Sequence, residues 1–491
     1  MTIKTCKFQP YVPGLLALSM IVSGLTACTP AAEAQSSKAE DKSIETKEIA
    51  KADMSQPNIL MLFADDLGWT DLGYRTGRWD TPNIDSLKLQ SLEFTRAYAA
   101  SPTCSPSRAS VITGQHPARL KMPRHIPDGK KDLGFDEFHR PTQEFHLLPT
   151  DPAQEPSRNY LPLEVTSIAE AIKPLGYYTA FSGKWHLGSE DYYPIKQGFD
   201  EQFGVSTAGH PKSYRAPFWE EYRNPYPDAP KGKYLTERLT DDVVSFIKDY
   251  DKEKPFMLTN FYYTVHTPHQ GPKAATQKYL DRGLDKKYAN FGAMIEALDT
   301  SVGRILQALD ESGMADNTVV IFYSDQGGYF TNEPLRGGKM AGKALYEGGA
   351  RVPLLVRWPG VTPKAQSSEQ LVMSTDILPT FVDIAGGDPT KLKDLDGQSI
   401  VPMLKGELSE REHVILYRNY EDAYAAVIGQ RWKLVAFISG KTELYDLLVD
   451  PSESTDLSEQ LPQKVAQLKK TLLEWQLTVG VNPTLKRPDL L

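Results

Sequence analysis

Residues 57–68 read Pro57-Asn-Ile-Leu-Met-Leu-Phe63-Ala-Asp65-Asp66-Leu-Gly68. The apolar run up to Phe63 carries no polar alternation, the sign of a strand buried on both faces in a parallel sheet. It ends in two adjacent carboxylates. Ligand sites of open α/β sheets lie at the carboxyl ends of the strands. Two acids side by side there repel each other and are costly unless a cation compensates. An all-oxygen set favours Ca²⁺ or Mg²⁺ over zinc.

The same grammar recurs along the chain. Tyr177-Tyr-Thr-Ala-Phe181 reads as a strand and runs into Ser182-Gly-Lys184-Trp-His186-Leu-Gly188. Phe256 to Thr264 is the next strand and exits through His266-Thr-Pro268-His269, where the proline forbids a helix. Thr318 to Tyr323 ends in Ser324-Asp325-Gln326-Gly-Gly328, a second hard-oxygen pair that could complete one metal site with Asp65 and Asp66. Val352 to Trp358 is a further strand. Helices are expected from Thr81 toward Ala100, over Thr166–Ile172, over Asp285–Ser312 and over Thr375–Ala385. Polar, titratable residues thus collect just past strand ends in an α/β fold.

The stretch Ser101-Pro-Thr-Cys104-Ser-Pro-Ser-Arg108-Ala-Ser110 adds a nucleophile. Ser105 is a candidate N-cap, Pro106 suits the first helical position, and Gly114 marks a stop. Cys104 would then sit at the positive end of a helix, with Arg108 in the first turn returning toward it. The alternative is a buried structural cysteine.

A net charge of −8 over 491 residues argues against nucleic acid as the main partner. The length suits one large and one small domain. We expect a catalytic domain over 57–385. After residue 386, hairpin-linked strands and a closing helix from Leu461 to Val479 predict a smaller α+β subdomain, 386–491. Only Cys6, Cys28 and Cys104 occur, too few for a disulfide framework. Residues 1–27 carry a basic start and a short apolar stretch, as a signal peptide does. Residues 28–56 lack bulky apolar side chains and read as a flexible tether.

Taken together, these pieces resemble the type I, formylglycine-dependent sulfatases. The matching elements are residues 58–68, Cys104 through Gly114, Gly183 through Gly188, His266-Thr-Pro268, Ser324 through Gly328, Tyr346-Glu-Gly-Gly349 and Glu443-Leu-Tyr-Asp446. They cover most of the chain after residue 56, in the family's order. The resemblance implies an alkaline-phosphatase-like mixed sheet flanked by helices, with a smaller C-terminal domain. It also implies that Cys104 is oxidised to formylglycine by a formylglycine-generating enzyme. Asp65, Asp66, Asp325 and Gln326 would hold Ca²⁺, together with an oxygen of modified Cys104. Many members carry Asn where this chain has Gln326. Arg108 and Lys184 would orient hydrate and sulfate, His186 would assist at the hydrate, and His266 would serve the leaving oxygen. A further active-site lysine is expected before Tyr346. Lys339 fits counted from Arg336-Gly-Gly, and Lys343 fits counted back from Tyr346.

Leu25-Thr-Ala-Cys28 resembles a bacterial lipobox, which implies lipidation of Cys28 and an exported, membrane-anchored enzyme. That location suits a sulfated polysaccharide or its oligosaccharides as substrate. The loop Ala208 to Arg215, through His210, Lys212 and Arg215, and the insertion 124–160 are the expected specificity elements. Within the insertion, His125, His139 and His146 read as surface or cleft residues, not catalysts. Two other functions compete: a phosphate or phosphonate monoester hydrolase on the same fold, and a glycan-binding protein that has lost catalysis.

Overall fold

The structure, a computed structural model, describes residues 56–148, 150, 155–339, 344–418 and 422–483. The signal segment, most of the tether, Cys28 and Lys343 lie outside the described residues. Among the described residues, no helix is long and apolar enough to cross a membrane.

The first strand, β1 (Asn58–Ala64), is buried along its whole length. It occupies the middle of an eight-stranded mixed sheet. The others are β2 (Leu92–Phe94), β3 (Tyr178–Gly183), β4 (Glu201–Phe203), β5 (Phe256–Phe261), β6 (Thr318–Ser324), β7 (Leu354–Arg357) and β8 (Gln366–Ser368). The spatial order is β8-β2-β7-β6-β1-β5-β3-β4. Strands β6, β1, β5, β3 and β4 run parallel, while β7 is antiparallel to β6.

Alternation along β1 divides the core. Ile59, Met61 and Phe63 pack on one face with Val111 and Ile112 of helix α1 (Cys104–Thr113). Leu60 and Leu62 pack on the other with helices α2 (Leu235–Lys248) and α3 (Lys286–Glu311). This two-sided burial is why the strand shows no polar alternation.

Parallel register brings the chemistry to one edge. Phe63 lies level with Phe261 on one side and Tyr323 on the other, and Gly183 lies level with Phe261. The residues just past β1, β3, β5 and β6 therefore emerge side by side. Gly183 has φ 94°, and a Cβ there would lie 2.1 Å from the carbonyl oxygen of Phe261. Only glycine permits the close approach that turns Lys184 into the cleft.

The chain from Thr81 toward Ala100 departs from the single helix expected. The helix stops at Leu89, and Leu92–Phe94 and Ala97–Tyr98 are strands. Ser91 Oγ donates to the Leu87 carbonyl at 2.7 Å and closes the helix. Sheet pairing then claims the residues up to Tyr98. The C-terminal sheet comprises β9 (His413–Tyr417), β10 (Ala423–Gly429), β11 (Trp432–Phe437) and β12 (Thr442–Asp446), all antiparallel neighbours. Helix α4 (Pro462–Thr478) comes after it in the chain.

Candidate active site

Helix α1 begins at Cys104 itself, not at Pro106. Thr103 takes the extended cap conformation, and Ser105 is already inside the first turn. The Ser105 hydroxyl accepts from the backbone N–H of Ile126 at 3.0 Å instead of capping. Gly114 ends the helix at φ 66°.

Three carboxylates and three cations surround the Cys104 sulfur. Lys184 Nζ lies 2.5 Å from Asp65 Oδ2, with both side chains fully buried. Arg108 donates through Nη2 to Asp325 Oδ2 at 3.0 Å and through Nη1 to the carbonyl of Lys184 at 2.7 Å. Lys339 Nζ reaches Asp66 at 2.6 Å and stands 3.9 Å from Cys104 Sγ. Gln326 Nε2 donates to Asp66 and approaches Cys104 Sγ at 3.3 Å. The backbone N–H of Asp66 donates to Asp325 Oδ1 at 3.0 Å, locking the two strand ends together. Asp66 and His186 hold left-handed backbones, φ 63° and 56°. A functional site is where such unfavoured conformations concentrate.

Burial raises the cost of every charge here. It pushes both Asp65 and Asp325 up, but Lys184, His266 and Arg108 together outweigh it at Asp65, which stays below its usual range. Asp325 is left well above its own, with the Asp65 charge adding to the cost of burial. Burial would also raise the Cys104 thiol. Lys184 and Lys339, with hydrogen bonds from His186 and His266, together overcome that and hold it well below its usual value.

The donor set fits a hard divalent cation. One oxygen each of Asp65 and Asp325 lies within 4.8 Å of the other and of Cys104 Sγ. Gln326 Oε1 is buried without a hydrogen-bond partner. A half-turn about the terminal bond of Gln326 exchanges its amide oxygen and nitrogen. That would present the oxygen toward Asp66, as a hard cation requires.

The histidines ring the mouth of the site. His186 is buried, donates from Nε2 to the Ile126 carbonyl at 3.0 Å, and has its pKa lowered by burial. His266 Nε2 stands 3.9 Å from Asp66 Oδ2. Its ring stacks on His210, with centroids 5.3 Å apart. Lys212 and Arg215 are engaged elsewhere: Lys212 with Glu220 at 2.5 Å, and Arg215 with the Gly271 carbonyl at 2.7 Å. The His210 loop thus delivers one imidazole to the site.

One further element leaves no trace in the sequence pattern. Lys433 of β11 is buried between Glu347 and Glu453, 2.9 Å from each. The backbone N–H of Gly348 in turn donates to the Arg336 carbonyl at 2.7 Å. The C-terminal sheet is thereby tied to the loop that carries Lys339. Nothing in local sequence reveals this, because the three charges lie far apart in the chain.

The sulfatase family profile matches residues 57–387, two-thirds of the chain. This protein belongs to the sulfatase family. A second profile, the C-terminal region of N-sulphoglucosamine sulphohydrolase, matches residues 338–478. The sulfatase is 31% identical to a sulfatase of Formosa agariphila, covering 84% of this chain and 87% of that one. It is 32% identical to N-acetylgalactosamine-6-sulfatase of Homo sapiens, covering 76% of this chain and 70% of that one. In fold it is similar to the crystal structure of Ps i-CgsB in complex with k-i-k-neocarrahexaose. That match has a TM-score of 0.72 and 26% identity over 88% of this chain and 94% of the other. The family and these relatives make the sulfatase a sulfuric ester hydrolase, on the alkaline-phosphatase-like fold expected.

Proposed function

We propose that this sulfatase removes sulfate from a sulfated polysaccharide or oligosaccharide, using formylglycine made from Cys104 and one Ca²⁺. The observation that carries the reading is the position of Cys104, at a helix start between Lys184, Lys339 and three carboxylates. Two relatives support the carbohydrate: one is named for N-acetylgalactosamine 6-sulfate, and one was crystallised with neocarrahexaose.

Asp65, Asp66, Asp325 and Gln326 would hold the calcium, which would supply positive charge against a sulfate oxygen. The formylglycine hydrate would supply the attacking oxygen and a second hydroxyl that, on giving up its proton, would become the aldehyde carbonyl as the C–O bond to sulfate breaks. The chain's own residues do the rest. Arg108, fixed on Asp325 and the Lys184 carbonyl, would orient the hydrate and the sulfate. Lys184 and Lys339 place ammonium groups where the sulfuryl oxygens gather charge in the transition state. His186, with Nδ1 buried and unpaired, can take a proton from the group at residue 104. His266, half-buried beside Asp66, is placed to give a proton to the departing alkoxide.

A formylglycine-generating enzyme would act on Cys104 before folding is complete, since the side chain is buried afterwards. Export and lipidation at Cys28 would hold the enzyme at the bacterial cell envelope.

The test is sulfate release from a panel of sulfated glycan oligosaccharides and an aryl sulfate, beside matched phosphate esters. Protein comes from a host that makes formylglycine, with Cys104→Ala as control. Release from a glycan class, lost in the control, supports the reading. Release from the aryl sulfate alone sinks the carbohydrate, and phosphate release alone sinks the proposal as a whole.

A further inference from the structure

We infer that His125 is a specificity-determining residue of this sulfatase, hydrogen-bonding a hydroxyl of the sugar ring that bears the sulfate. The inference rests on the carbohydrate reading above and names the residue that senses the sugar.

The placement comes from its neighbour. Ile126 is pinned on both sides: its N–H donates to Ser105, next to Cys104, and its carbonyl pairs with His186 Nε2, each at 3.0 Å. Ile126 itself packs into the core at 6% exposure. On the other side, the Arg124 backbone N–H donates to Ser157 Oγ at 3.2 Å and the Arg124 carbonyl accepts from it at 3.1 Å. The backbone at residue 125 is therefore fixed between two anchors, one of them bonded to the elements that carry Cys104 and His186.

The side chain is free. His125 is exposed, and among the described residues none hydrogen-bonds to its ring. The cations beside Cys104 are engaged: Lys184, Lys339 and Arg108 pair with carboxylates, and His186 bonds Ile126 through Nε2. An exposed imidazole whose backbone is anchored beside the site, with no partner among the described residues, is available to a bound substrate. A neutral imidazole has one donor and one acceptor nitrogen. That suits a sugar hydroxyl, which donates and accepts, better than a sulfate, which only accepts. A site that hydrogen-bonds a hydroxyl rejects the analogue lacking it, because the partner is left unpaired beneath the bound substrate.

The experiment compares kcat/KM for N-acetylgalactosamine 6-sulfate, galactose 6-sulfate and 4-nitrophenyl sulfate in wild type, His125→Ala and His125→Gln. Binding of the sulfated sugars to each protein in the Cys104→Ala background is measured by calorimetry. We expect His125→Ala to lower the sugar-to-aryl ratio of kcat/KM at least tenfold and to weaken sugar binding in parallel. His125→Gln, which keeps a donor and an acceptor, should recover part of both. Equal losses on sugar and aryl esters, or no change in either, overturn the inference and leave the sulfatase reading standing. If wild type hydrolyses the aryl ester but neither hydrolyses nor binds any sulfated sugar, the carbohydrate reading falls and this inference with it.

Discussion

Lys184 and Asp65 stand 2.5 Å apart, sealed from solvent, though 119 residues separate them in the chain. The pair is formed by two parallel strands whose ends are level. Removing the ammonium leaves buried Asp65 with Arg108, 3.7 Å away, as its remaining cationic neighbour. Breaking a buried ion pair from one side costs roughly 3–5 kcal/mol. Lys184→Ala should therefore lower the melting temperature of calcium-free protein by several degrees and reduce kcat/KM at least a hundredfold. A full-strength melting temperature in the calcium-free variant would show that the pair contributes nothing to stability.

Among the described residues, Lys339 is the lysine of this loop that reaches Cys104, at 3.9 Å from the sulfur and 2.6 Å from Asp66. Its surroundings hold it protonated: burial opposes the charge, but Asp66 and Cys104 outweigh it. A preorganised cation at developing charge is worth about two to three orders of magnitude. We expect Lys339→Ala to lose at least a hundredfold in kcat/KM on any sulfate ester. Retention within fivefold would transfer the role to Lys343.

Removal of calcium should act on stability as well as rate. A ligand that binds only the folded state adds RT ln(1 + [L]/Kd), about 2.7 kcal/mol at a hundredfold excess over Kd. Treatment with EGTA should abolish sulfate release and lower the melting temperature, and added Ca²⁺ should restore both. Asp325→Ala should erase the calcium-dependent shift. A melting curve indifferent to EGTA and to Ca²⁺ would reject the assignment of these carboxylates.

The parallel strands are legible in the sequence because a strand buried on both faces has no polar alternation, as from Ile59 to Phe63. The site is legible because its polar residues follow strand ends: Asp65, Lys184, His266 and Asp325. Short edge strands are not. Leu92–Phe94 has no strand signature of its own and owes its conformation to pairing with β7 and β8. The helix start is shifted because Ser105 finds a tertiary partner, Ile126, that local capping rules ignore. Charge alone makes Lys212 and Arg215 look like substrate contacts. Glu220 and the Gly271 carbonyl, which no local pattern links to them, claim both. His125 escapes for the opposite reason, because a lone histidine in an irregular insertion carries no pattern.

His116 gives a pH dependence whose sign the geometry fixes. It lies just beyond α1, its ring 4.7 Å from that of Trp475 on α4. Nδ1 accepts from the Ala118 N–H at 3.1 Å, and Nε2 faces the Ile415 carbonyl on β9 at 3.0 Å. Only the neutral tautomer with its proton on Nε2 satisfies both. Burial accordingly drops the pKa from 6.5 to about 4. Between those values the unfolded chain binds the proton and the folded chain does not, so stability rises with pH across the window. It is intact above about 6.5 and is lost as pH falls toward 4, by about 3 kcal/mol in all. His116→Gln cannot take up the proton. The difference in melting temperature between wild type and His116→Gln should therefore shift against wild type as pH falls from 7 to 4. A difference that is flat over that range would mean the ring is already protonated, or free to leave its contact with β9 and α4, when the protein is folded.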